Sequence, residues 1–169
     1  MLQPRFSKIA APIQIRAIPQ PALSSFSPSP MALGIARSSG TIVAIEDAGA
    51  GNRLRSSILI SDGGGVAVSV RDTTQTTIEH VTLLALGGGS TALGVDATNT
   101  TMRVAVTNAI VRGANQDVAA TESGTATLTL ALENSAYRTV RVSSLVTNGA
   151  GNVLADPVFV NAAAGDFHQ

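Results

Sequence analysis

Apolar and polar residues alternate in short runs along the chain from Gly40 onward. The runs are rich in Val, Ile, Leu and Ala, and they are separated by turns rich in Gly, Asn, Asp and Ser. Alternation with a period of two predicts β-strands that bury one face, and the turn residues predict where each strand ends. The pattern therefore predicts an all-β fold.

The run pattern repeats along the chain at a fixed step. The run Val104–Asn108 returns as Leu130–Asn134, a step of 26 in the numbering (130 − 104), and Arg112 returns as Arg138. The same step relates three sets of apolar positions, which are Ile58/Leu84/Ile110, Ile78/Val104/Leu130 and Val66/Ala92/Val118. A fixed period of this size indicates stacked repeats, in which each repeat buries its apolar face against the next.

Each period contains three short runs, which predicts three short strands per coil of a right-handed parallel β-helix, a solenoid. Residues 40 to 160 give room for about four to five coils of about 26 residues. An antiparallel β-sandwich is the alternative, because it also has strands at close spacing. The sandwich does not account for the recurrence of equivalent residues every 26 positions, so we favour the β-helix.

Residues 1–39 differ from the rest of the chain. They hold nearly all the prolines and no acidic residue. Proline cannot join a central strand, so we expect a disordered leader or wrongly translated upstream sequence, followed by the β-helix at 40–169. A degraded export signal is the alternative, although prolines and polar residues interrupt its apolar region.

Composition excludes several classes of partner. Hydrophobic residues make up 44% of the chain, aromatic residues 3%, and the net charge is zero. A neutral chain gives no electrostatic reason to bind nucleic acid or an anionic membrane. No apolar run reaches the length of about 18 residues that a membrane helix needs, so we expect no membrane insertion. The oligomeric state is not predicted.

The end of the chain resembles a known superfamily. It reads Asn152-x-x-x-Asp156-Pro-x-Phe159 and then Gly-Asp-Phe-His, within a closing segment at 149–169. This is similar to the closing stretch of bacterial PbH1-repeat proteins of the pectate-lyase-like superfamily, and the likeness covers about 40–169. The resemblance implies a fragment of a secreted or cell-surface bacterial protein, although no clear export signal is present.

Three residues are weak candidates for catalysis. Arg112 and Arg138 are predicted to stack, and a row of guanidinium groups can bind the carboxylates of an acidic polysaccharide. Arg also serves as the base in lyases of the superfamily that the chain resembles. His80 is predicted in the column of Leu54, Val106 and Leu132. It is expected either as a core histidine or with a register slip that turns Val81 inward. Acid–base catalysis by His80 is the remaining possibility.

Other candidates concern ligands. Asp96 and Glu122, which are related by the same step (122 − 96 = 26), are weak candidates for a Ca²⁺ site, since Ca²⁺ prefers several oxygen ligands. Otherwise no cofactor is expected. Tyr137, Arg138 and Arg141 are weak candidates for binding a glycan. Asn108 and Asn134 are predicted to form a polar ladder at a turn, with Thr82 and Ser56 on the preceding coils.

The sequence favours a non-catalytic scaffold or adhesive segment, since charge is sparse and candidate groups are few. The alternatives are a remnant of a polysaccharide lyase or hydrolase, and a carbohydrate-binding module. Each would have a polysaccharide or a cell-surface glycan as its partner.

Overall fold

The computed structural model describes residues 31–32, 35–46, 49–142 and 145–156. These residues form strands and turns and contain no helix, and hence no helix that could span a membrane. The strands are β1 (Met31–Ala32), β2 (Ile35–Ser38), β3 (Val43–Glu46), β4 (Asn52–Ser61), β5 (Val66–Arg71), β6 (Gln75–Ala85), β7 (Thr91–Thr98), β8 (Thr101–Thr107), β9 (Ile110–Gly113), β10 (Gln116–Ser123), β11 (Thr127–Glu133), β12 (Val140–Val142) and β13 (Leu145–Asn148).

The strands form two parallel sheets that the chain visits in turn. Sheet I has the order β1-β4-β6-β8-β11-β13, with β2 also paired to β4 and β9 to β6. Sheet II has the order β12-β10-β7-β5-β3. Because successive strands along sheet I are connected through strands of sheet II, the chain winds as a parallel β-solenoid of about four coils. The predicted fold class is confirmed, while the right-handed sense stays a prediction.

Equivalent apolar side chains of successive coils stack to form the core. In sheet I, Leu54, Ile78, Val106 and Leu132 pair in sequence and are all fully buried. In sheet II the corresponding column is Val43, Val68, Leu93, Val118 and Val140. One coil cannot enclose such a column, so the stability of each coil depends on its neighbours.

A constant step of 26 in the numbering is wrong in detail. In sheet I the steps are 24 from Leu54 to Ile78, 28 from Ile78 to Val106 and 26 from Val106 to Leu132. In sheet II, β5, β7 and β10 follow one another at a step of 25. The pairing of Val104 with Leu130 is confirmed. Ile58 and Ile110 also lie in one column, but Thr82 and not Leu84 stands between them. Ile78 does not join Val104 and Leu130, and Val66, Ala92 and Val118 do not align, because the turns between coils differ in length.

The first described coil begins earlier than predicted. Strands β1 and β2 lie in the segment assigned to the leader, and both pair in parallel with β4. Residues 31–32 and 35–38 therefore belong to the solenoid. The prediction of disorder for residues 1–30 lies outside the described residues, as do residues 157–169 of the closing segment.

Candidate functional site

The first candidate site centres on Asp117, whose carboxylate is fully buried at the start of β10. Its Oδ2 accepts hydrogen bonds from Nη1 of Arg112 at 2.7 Å and from the Thr139 N–H at 2.9 Å. Its Oδ1 accepts the Gly113 N–H at 2.9 Å. The Arg138 N–H also donates to Oδ2. A buried carboxylate needs such partners, because an unpaired one costs several kcal/mol.

Asp156, on the coil that follows Arg138, joins the same group. Nη2 of Arg112 forms an ion pair with Oδ1 of Asp156, and Nη1 of Arg138 lies 3.3 Å from Oδ2. We call Arg112, Asp117, Arg138 and Asp156 the charge cluster. The prediction that Arg112 and Arg138 lie together is confirmed, and both face carboxylates of the chain itself. The side chain of Arg112 is only 15% exposed, so a ligand would have little access to it.

Asp96 and Glu122 do not form the aligned pair expected for Ca²⁺. Asp96 is in register with Thr121, and Glu122 with Ala97, because the step in sheet II is 25. Asp96 accepts a hydrogen bond from the Thr121 hydroxyl, and Glu122 accepts one from the Leu128 N–H. Among the residues that the structure describes, no three His, Cys, Asp or Glu side chains are grouped as a metal site would require.

Of the three glycan-binding candidates, Tyr137 is buried, while Arg138 and Arg141 are exposed. Tyr137 is 2% exposed and belongs to the core, where burial raises the pKa of its hydroxyl above the ordinary value. Arg141 is exposed on β12, in register with Ala119 of sheet II. Arg138 lies with the charge cluster instead. The burial of Tyr137 removes it from a glycan-binding surface, while a role for Arg138 and Arg141 stays a prediction.

A second candidate site follows a corner of sheet I. Ser56, His80, Asn108, Asn134 and Gly151 hold equivalent places on successive coils, and all have positive φ, between 46° and 75°. The Asn108 N–H donates to the Glu133 carbonyl, and the Asn134 N–H to that of Ala150. The backbone turns at this column, which we call the corner column. The ladder of Asn108 and Asn134 is confirmed, but His80 rather than Thr82 precedes them.

His80 is exposed, and the next residue, Val81, is 3% exposed in the core. The fully buried place in the column of Leu54 belongs to Ile78. The placement of His80 in the core is therefore wrong, and the alternative in which Val81 turns inward is confirmed. Nε2 of His80 lies 3.5 Å from Nδ2 of Asn108.

An open groove of about 300 Å³ lies over this corner. Its polar lining includes Ser56, His80, Thr82 and Asn108, and its apolar lining includes Ile35, Ile58, Val81 and Ile110. The outward column formed by Ile35, Ile58, Thr82 and Ile110 makes one wall, because these residues are in register on successive coils. The sequence did not reveal this groove, since finding it requires the unequal steps between coils.

Comparison with known proteins gives no assignment: no family model, no curated protein and no solved structure matches the chain.

Proposed function

We propose that the chain is a non-catalytic scaffold segment whose charged side chains connect neighbouring coils. The observation that carries this proposal is the charge cluster, in which Arg112 and Arg138 are bound by Asp117 and Asp156. A lyase or hydrolase needs charged groups that face a substrate. The arginines that the sequence offered for that role are instead paired within the molecule.

Other ion pairs join side chains on adjacent coils. Arg37 binds Asp62 through two hydrogen bonds of 2.6 and 2.9 Å, and Arg53 binds Glu79 at 2.8 Å. Arg71 lies 3.8 Å from both Glu46 and Asp96, on the coils on either side of it. Exposed pairs contribute about 0–1 kcal/mol each, so their value lies more in fixing the register between coils than in stability. A fixed register suits a rigid spacer.

A substrate screen tests this proposal. The folded chain is incubated with acidic polysaccharides, with and without Ca²⁺, and ultraviolet absorbance is followed for unsaturated uronate products. Reducing-end assays on the same samples detect hydrolysis. We expect no turnover. Turnover that Arg112→Ala abolishes, while the variant keeps its β-type circular dichroism, would overturn the scaffold proposal in favour of the enzyme.

An adhesive role belongs to the same proposal and has its own test. A glycan array probed with the labelled chain would reveal saturable binding, and Arg138→Ala and Arg141→Ala would separate the two exposed arginines. Location outside the cell or at its surface is also proposed, and it is supported only by the resemblance of the closing segment.

A further inference from the structure

We infer that the groove over the corner column binds a small monocarboxylic acid with an apolar tail. Pockets for small ligands begin at about 300 Å³, which the groove reaches. Its lining combines four branched aliphatic side chains with a few polar groups, which is the usual composition of such a site.

The polar end of the groove is suited to a carboxylate. Nε2 of His80 and Nδ2 of Asn108 lie 3.5 Å apart. When the imidazole is neutral, Nε2 can accept a hydrogen bond from the Asn108 amide. When the imidazole is protonated, both nitrogens are donors. Two adjacent donors can then share one acceptor, and the two oxygens of a carboxylate provide it in a charge-assisted form.

The apolar end of the groove is suited to a hydrocarbon tail. Ile58 and Ile110 are half-buried, and Ile35 is 69% exposed at the end of the same outward column. Covering these side chains with an alkyl chain would remove apolar surface from water, which favours binding. A ligand without a tail would lose that contribution, so we expect inorganic anions and acetate to bind weakly.

Charge near His80 does not oppose this ligand. His80 is the one titratable side chain among the residues that line the groove. The adjoining column on one side holds Arg55, Glu79, Thr107 and Glu133 on successive coils, and Glu79 is already paired with Arg53. The outward column on the other side, through Ile58, Thr82 and Ile110, carries no charge among its described members. Protonation of His80 therefore provides the attraction for an anion.

The test is a titration of the folded chain with sodium octanoate, followed by calorimetry and by chemical shifts at pH 6 and pH 8. Octanamide, which has the same tail and no charge, is the ligand control. We expect saturable octanoate binding that is stronger at pH 6 than at pH 8, because the lower pH favours the cationic form of an imidazole. Octanamide should bind about tenfold more weakly, as the loss of one charge-assisted hydrogen bond implies.

His80→Asn is the informative variant, because Asn already occupies this position on the next two coils with positive φ. It should keep the fold, weaken octanoate binding about tenfold and remove the pH dependence. Asn134→Ser, a change in the same column beyond the groove lining, is the control and should bind as the natural chain does. Three results would overturn the inference. They are equal binding of octanoate and octanamide, full binding of octanoate by His80→Asn, and no saturable binding below the concentration at which octanoate forms micelles. None of these results would affect the scaffold proposal.

Discussion

Asn134 and Gly151 hold the same corner position on the last two described coils. Ala136 and Val153, each two residues further on, form a parallel bridge, and the φ angles of Asn134 and Gly151 are 46° and 75°. The Oδ1 of Asn134 occupies the space where a Cβ on residue 151 would lie. Glycine adopts this conformation with the least strain, and a side chain at residue 151 would have to displace the Asn134 amide.

Gly151→Ala should lower the free energy of unfolding by about 1–3 kcal/mol, since it combines a strained φ with a clash. Gly88→Ala is the matched control, because a Cβ there meets no atom within 4 Å. It should change stability by less than about 0.5 kcal/mol. Urea titrations followed by circular dichroism measure both variants, and equal stabilities would contradict the assigned corner geometry.

Asp117→Asn should destabilise the fold by about 3 kcal/mol or more, because it leaves Arg112 without its buried partner and turns an amide N–H₂ toward backbone donors. Asp62→Asn removes a carboxylate from the exposed pair with Arg37 and should cost at most about 1 kcal/mol. Differential scanning calorimetry of the two variants gives the comparison. Similar melting temperatures would mean that Asp117 is not the centre of the charge cluster.

Val104→Asp should unfold the chain, since Val104 is 2% exposed in the core and an unpaired buried carboxylate costs several kcal/mol. Arg103→Asp, at the neighbouring exposed position, should leave the β-type spectrum and the urea midpoint almost unchanged. The pair tests the alternation of faces along β8. If both variants tolerate the change, the inward assignment of Val104 is wrong.

Tyr137 should make the fold sensitive to alkali. Burial raises the pKa of its hydroxyl in the folded chain, while the unfolded chain keeps the ordinary value of about 10. The unfolded state therefore loses its proton first. The stability that the neutral hydroxyl contributes is fully present below about pH 10. It is lost as the pH rises from there through the pKa that Tyr137 has in the folded chain.

Tyr137 is the single tyrosine of the chain, so tyrosinate absorbance reports its ionisation alone. We expect this titration to coincide with a decline in the urea midpoint above about pH 10. In Tyr137→Phe the midpoint should change less over the same range. An absorbance titration at the ordinary pKa with no loss of stability would show that the side chain is accessible to solvent.

The sequence predicted the class of fold because the mean step was correct. Leu54 and Leu132 lie 78 positions apart, which is three times 26, although the individual steps between them are 24, 28 and 26. A shortened step to Ile78 and a lengthened one to Val106 cancel. The predicted columns failed where the turns differ in length, and turn length leaves no mark on the alternation of the strands themselves.

The charge cluster was only partly predictable for a different reason. The repeat places Arg112 and Arg138 together, but Asp117 follows a Gly-containing turn and has the sequence context of an exposed turn residue. Its burial depends on backbone N–H groups from Gly113 and Thr139, which converge only after the coil closes. Sequence periodicity contains no information about such convergence.

The equal steps between β5, β7 and β10 of sheet II have a consequence for how the molecule could grow. Strands β5, β7 and β10 are related by a step of 25 in the numbering, so each of these coils places its strand in sheet II after an equal length of chain. Each added coil would lengthen the solenoid by about 4.8 Å along its axis. Gene duplication within this region would thus change the length of the protein in small, equal increments.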